Sequence, residues 1–264
     1  MQTRQWRSFV ALGDSFTEGI DDPADRGYRG WADRVAEALA AQADGFRYAN
    51  IAIRGKRLEE MVVEQIPVAA RMRPELVAFV GGGNDVLRTK VMWQELHAKL
   101  AHGVRTLVET GATVLLCTGT TYAQALPFGK IVARRAAAMN EIIKAVAAEY
   151  AQVLIDPWDG HEQGNARYFS IDRLHLSPAG HRRVAAHALA ALGLPHDPEL
   201  LVPLPAADRV GWLRARRADV GWARHHLAPW VGRRLAGRSS GDLITAKRPE
   251  LVPLVIEPET QPAN

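Results

Sequence analysis

The chain has 264 residues, of which 47% are hydrophobic and 23% charged, with a net charge of +4. That apolar content suits one globular domain with a full core and an appendage, and it excludes disorder over most of the length. No apolar run approaches the roughly 18 residues of a membrane span. The run after Arg4 and Arg7 extends only from Phe9 to Leu12, too short for a secretory signal, and the single cysteine, Cys117, excludes an internal disulfide framework. A cytoplasmic setting is therefore expected.

Short apolar runs alternate with longer amphipathic ones. Strands are predicted at Ser8–Leu12, Arg47–Ile53, Leu76–Val80, Thr113–Cys117 and Val153–Ile155. Helices are predicted at Trp31–Ala41, Leu58–Met72, Val91–Thr110, Lys130–Tyr150 and Pro178–Leu192. Strands separated by helices imply βαβ crossovers and a mostly parallel sheet covered on both faces. Burial on both faces explains continuous runs such as Val114-Leu115-Leu116. Ligands collect at the carboxyl ends of such strands.

Near Gly193 the pattern breaks: Pro195, Pro198, Pro203 and Pro205 fall close together and read as a connector. Residues 1–194 are accordingly expected to form the main domain and 195–264 a C-terminal extension packed on it, with an extended tail from about residue 248. The extension holds the basic excess. Between Arg209 and Arg238 there are eight arginines and one acidic residue, Asp219, so the remainder of the chain stands at −3. With Trp212, Trp222 and Trp230 interleaved, packing of one or two short helices is favoured over nucleic-acid binding, which is not expected. A lid or a dimer contact is a further option for this segment, and the oligomeric state is not readable.

Four constellations can carry chemistry, each at a strand terminus or just ahead of a helix. Gly13-Asp14-Ser15 presents a serine directly after the first strand, where the N–H groups of a following helix would point at the same spot; alternatively, Asp14 or Ser15 merely caps that helix. Asn50-Ile51-Ala52-Ile53-Arg54-Gly55-Lys56 and Gly81-Gly82-Gly83-Asn84-Asp85 offer a backbone N–H at Gly55 and an amide donor at Asn84 for a developing oxyanion. Either is equally readable alone as an ordinary turn. Asp172-Arg173-Leu174-His175 places a carboxylate three residues before a histidine, local enough to fix the imidazole tautomer. A serine hydroxyl is a poor nucleophile until such a base takes its proton.

Together, in this order, the four blocks resemble those of the SGNH (GDSL) hydrolase superfamily over about the first 194 residues. The resemblance implies a flavodoxin-like three-layer α/β/α sandwich with a parallel sheet of about five strands. It implies a serine hydrolase that cleaves carboxylic esters of small molecules through an acyl-enzyme on Ser15. His175 would be base and then acid, Asp172 would orient it, and Ser15 N–H, Gly55 N–H and Asn84 would form the oxyanion hole. Among enzymes, the alternatives are a thioesterase or lysophospholipase acting on long acyl chains and a deacetylase acting on sugars or a small metabolite; outside enzymes, the alternative is a non-catalytic ligand-binding module on the same fold. Asp14, Thr121, Tyr122, Trp158 and Tyr168 are candidate substrate contacts. No cofactor is implied. His161-Glu162 and His225-His226 lack the spacing of a metal site, and none is expected. His181 and His187 read as surface or packing residues, and Cys117 as a buried small hydrophobe.

Overall fold

The computed structural model describes residues 4–25, 27–122, 126, 128–158, 164–207, 211–236 and 239–255. Six strands form one sheet in the order β5-β4-β3-β1-β2-β6. The strands are β1 (Ser8–Gly13), β2 (Arg47–Asn50), β3 (Leu76–Val80), β4 (Thr113–Cys117), β5 (Val153–Ile155) and β6 (Arg248–Pro253). The first five are parallel, each pair joined by a helical crossover. The helices are α1 (Ser15–Glu18), α2 (Trp31–Ala40), α3 (Leu58–Glu60), α4 (Ile66–Met72), α5 (Gly83–Val86), α6 (Trp93–Glu109), α7 (Gly129–Glu149), α8 (Pro178–Ala191), α9 (Trp212–Trp222) and α10 (Ala228–Leu235).

The period-2 geometry of β1 divides its side chains between two cores. Phe9 and Ala11 join Trp31, Val35, Leu39, Val184 and Ala188 under α2 and α8. Val10 and Leu12 join Ile66, Leu100, Val104, Met139 and Ile143 under α4, α6 and α7. This is the three-layer α/β/α sandwich that the sequence implies. No helix of the described residues is long and apolar enough to cross a membrane.

Two departures from the sequence reading have local causes. The helix expected over Leu58–Met72 is interrupted by a π turn at Met61–Gln65. Pro67 follows it and has no N–H to donate, so the ladder is broken one turn earlier, and Ile66 N–H reaches back to the Met61 carbonyl. The tail beginning at Arg248 is extended as expected, but it is also a paired strand: β6 lies antiparallel on β2, with Arg47 opposite Pro253 and Asn50 opposite Arg248. Its prolines fit an edge position, where missing N–H groups cost least. The sheet therefore has six strands, the sixth supplied by the extension.

Candidate active site

The first block is built by a glycine. Gly13 ends β1 at φ +151°, and a Cβ there would lie 2.3 Å from the Val80 carbonyl oxygen, so only glycine lets β1 turn beside β3. Asp14 caps α1, its carboxylate accepting from Phe16 N–H at 3.0 Å. Ser15 is the first residue of that helix, where backbone N–H groups have no intrahelical acceptor. Its half-buried side chain has no hydrogen-bond partner among the described residues.

The second block runs on from β2 alongside β1. Ile51 N–H donates to the Ala11 carbonyl at 2.9 Å and Ile53 N–H to the Gly13 carbonyl at 3.1 Å. A tight turn follows, with Lys56 N–H on the Ile53 carbonyl and Gly55 at φ +80°. Buried Asn50 is a tie, donating to the Thr17 carbonyl (2.9 Å) and the Tyr48 hydroxyl (3.1 Å). Arg54 forms an ion pair with buried Glu18 of α1, and its N–H donates to the same carboxylate at 2.8 Å. The turn carrying Gly55 is thereby locked to the helix carrying Ser15.

The third block joins the first two. The Asn84 amide donates to the Asp14 carboxylate and to the Lys56 carbonyl, both at 3.0 Å. Both of its amide hydrogens are therefore engaged. Burial pushes the Asp14 carboxyl up to about 6, against the lowering effects of Phe16 N–H and the His175 charge. Asp85, also raised by burial, accepts from Leu58 N–H at 3.1 Å and so caps the helix that follows the second block.

The fourth block is an acid–base pair. His175 Nδ1 lies 2.5 Å from Asp172 Oδ2, while Asp172 Oδ1 accepts from the N–H groups of Leu174 (2.9 Å) and His175 (3.0 Å). Burial works against the Asp172 charge, but His175 and these N–H groups outweigh it and hold the carboxyl at about 2. Burial also opposes a charge on His175; Asp172 overcomes this, with smaller help from Asp21 and Asp14, and raises its pKa above the ordinary histidine value. The loop is shaped by Arg173 at φ +63° and by Ser170 N–H on the His175 carbonyl at 2.9 Å. Ser177 then caps α8, its hydroxyl accepting from Gly180 N–H, with Pro178 at the first helical position.

The remaining sequence candidates divide. Thr121 and Tyr122 are half-buried, and Tyr122 stacks on Phe169 at 5.7 Å. Trp158 and Tyr168 are core residues, 1% and 2% exposed, packed edge-to-face at 5.5 Å. That leaves them next to no surface for a substrate. His161 and Glu162 lie outside the described residues. His181 is a packing residue: it accepts from Trp31 N–H, donates to the Ile20 carbonyl, and burial lowers its pKa to about 4. Cys117 is buried, which raises its thiol pKa.

Several residues that hold the site were not singled out from sequence. Gln65 grips Gly13 at both backbone groups, accepting from its N–H (2.9 Å) and donating to its carbonyl (3.0 Å). A glutamine beside the apolar face of a helix was the available signal. Glu18 and Asp21 belong to the same group. Asp21 Oδ2 lies 3.9 Å from His175 Nδ1. Asp21, Asp172 and His175 bring three potential metal-ligand atoms within 4.8 Å of one another. His175 Nδ1 is already engaged by its short hydrogen bond to Asp172. A groove of about 330 Å³ between α2 and α8 is lined by Arg29, Arg34 and Arg182 among others, and by none of the four blocks.

Comparison with known proteins agrees with this geometry. The profile of the GDSL-like lipase/acylhydrolase family matches residues 11–183. No curated protein matches the chain by sequence. Among solved structures, Axe2, an acetylxylan esterase from Geobacillus stearothermophilus, is 20% identical over 74% of this chain and 98% of its own, with a TM-score of 0.59. TesA is 24% identical over 70% of this chain and 97% of its own, with a TM-score of 0.58. The chain belongs to the GDSL-like lipase/acylhydrolase family and is a carboxylic ester hydrolase.

Proposed function

We propose that the protein hydrolyses small-molecule carboxylic esters through an acyl-enzyme on Ser15. The observation that carries this is the 2.5 Å contact of His175 Nδ1 with an Asp172 carboxylate held ionised. It leaves the Nε2 lone pair as the base, in the field of Asp14, the residue before Ser15. Ser15 Oγ attacks the ester carbonyl carbon as its proton passes to His175 Nε2. Charge on the carbonyl oxygen is met by Ser15 N–H, Gly55 N–H and the Asn84 amide. The tetrahedral intermediate collapses with cleavage of the C–O bond to the alcohol, which leaves with the proton from His175. Water then repeats the sequence on the acyl-enzyme and releases the acid.

Asp14 acts in this scheme through Asn84, whose amide it orients. Thr121 and Tyr122, in the loop after β4 at the carboxyl edge of the sheet, are the candidate walls for the acyl or alcohol group. The test is hydrolysis of p-nitrophenyl acetate, butyrate and octanoate by the wild type and by Ser15→Ala. Activity on at least one ester that disappears in Ser15→Ala is expected. Hydrolysis that survives the substitution overturns the assignment, and the chain-length profile sizes the acyl site.

A further inference from the structure

The C-terminal extension returns to the catalytic blocks at two points and to the helices beside them at a third. The first is α9: the Trp222 indole N–H donates to the Asp172 backbone carbonyl at 2.7 Å. Beside it, Asp219 binds Arg173 at 2.8 Å, and the Arg173 guanidinium lies 5.0 Å over the Trp222 ring. The second is the segment before β6. A Cβ on buried Gly241 would lie 2.2 Å from the Arg54 carbonyl oxygen, and one on Gly55 would lie 2.3 Å from Ser239 Oγ. The extension thus rests directly on the turn that offers the Gly55 N–H. The third is Lys247, whose ammonium donates to the carbonyls of Glu18 (2.6 Å) and Tyr28 (3.1 Å) and to the Asp33 carboxylate (2.5 Å).

We propose that the extension is a clamp on the catalytic centre, with Trp222 the positioning residue that fixes the Asp172–His175 loop and Asp219 its partner through Arg173. This rests on the acyl-enzyme reading given above. The loop must present Asp172 Oδ2 to one imidazole nitrogen within a few tenths of an ångström, yet it carries a left-handed residue at Arg173 and two exposed side chains, Ile171 and Leu174. Its own bonds run from Ser170 to His175, from Arg173 back to Ser170, and from Asp172 to the next two N–H groups. None of these holds the outer face of Asp172. The Trp222 indole does, because it binds the carbonyl of the acid itself. Arg173 is pinned from two sides, by a carboxylate and by a ring face, so the loop is gripped on consecutive residues. The family profile ends at residue 183, so Asp219 and Trp222 lie beyond the segment it matches.

The test compares Trp222→Phe, which keeps the ring and removes the donor, and Asp219→Asn with the wild type and with Ser15→Ala. Hydrolysis of p-nitrophenyl acetate is followed across pH, with thermal unfolding in parallel. His175 faces three carboxylates, those of Asp172, Asp21 and Asp14, and Asp172 sets the rise in its pKa. A loosened loop weakens that contact. The acidic limb of kcat/KM is then expected to move to lower pH, and kcat to fall by about 10- to 100-fold with KM nearly unchanged. An unchanged limb and an unchanged kcat in both variants overturn the clamp. So does a loss of activity that only follows a loss of folded protein while the limb stays in place. Persistence of activity in Ser15→Ala overturns the underlying reading instead, so the two failures are distinguishable.

Discussion

Asp172→Asn isolates the tautomer argument, because it removes one charge and changes little else. In the wild type, Asp172 Oδ1 accepts from two backbone N–H groups and Oδ2 faces His175 Nδ1. Asparagine keeps the first role with its carbonyl and so turns its NH2 toward the imidazole. Nδ1 must then accept, the ring proton moves to Nε2, and no lone pair remains to take the Ser15 proton. A loss of about 10⁴-fold in kcat/KM is expected, the scale of the same substitution in serine proteases. The stability effect is much smaller. Lowering a carboxyl from 3.8 to about 2 corresponds to roughly 2 kcal/mol. Since the native pKa lies below the unfolded one, that contribution is present above pH 3.8 and is lost as pH falls through about 2. At pH 7 the variant is therefore expected to lose at most about 2 kcal/mol by urea titration and to stay folded. Activity within tenfold of the wild type, measured on p-nitrophenyl acetate from pH 5 to 9 with the urea midpoint recorded, would refute the reasoning. It would leave Asp21, 3.9 Å from the same nitrogen, as the carboxylate that orients the ring.

Two further perturbations separate chemistry from support. Asn84→Ala removes a proposed oxyanion donor together with its bonds to Asp14 and Lys56. It is expected to lower kcat by about 10²- to 10³-fold, to leave KM nearly unchanged and to lower stability by about 1–3 kcal/mol; a near wild-type kcat would remove Asn84 from the oxyanion site. His181→Gln addresses pH. Native His181 stays neutral down to about 4 whereas the unfolded residue takes a proton near 6.5, so its contribution is full above that window and lost as pH falls through it. The stability difference between wild type and variant should shrink by up to about 3 kcal/mol from pH 8 to pH 4. Asp14, raised by burial, runs the other way over nearly the same range and cancels in the difference because both proteins carry it. A difference that does not change with pH would place water or a charge at His181 where the structure shows a backbone N–H and a carbonyl.

What could be read from the sequence follows from how far each signal reaches along the chain. β1, β3, β4 and β5 were legible because each is a local apolar run, whereas the strand predicted over Arg47–Ile53 ends at Asn50; α8 was legible because Ser177 and Pro178 announce its start within two residues. Asp172 and His175 were legible for a similar reason: three residues span the whole interaction, and the two backbone N–H groups that keep the acid ionised lie inside the same span. Gln65 and Glu18 were not, because each meets its partner from another element, across 52 and 36 residues respectively. Their value lies in the partner's position, which no periodicity encodes. Trp158 and Tyr168 show the opposite limit. An aromatic residue in a loop near the carboxyl edge reads the same whether it faces a ligand or closes the core, and only packing against Arg183, Phe169 and the connector decides it.

The extension is the extreme of this limit, and the reason is chemical as well as topological. Its arginine-rich composition pointed outward, to a partner or to solvent, because charge is what composition records. Apart from the Asp219–Arg173 and Lys247–Asp33 ion pairs, its contacts beside the catalytic blocks are made by other means: an indole N–H on a backbone carbonyl, a glycine against a carbonyl, and a lysine capping two carbonyls. A backbone carbonyl is offered by every residue, so neither side of such a contact leaves a pattern in the sequence. The same indifference makes it a suitable fastening for a catalytic loop. It constrains the position of Asp172 without adding a second charge beside the His175 imidazole, and the proton chemistry there remains a matter for the carboxylates alone.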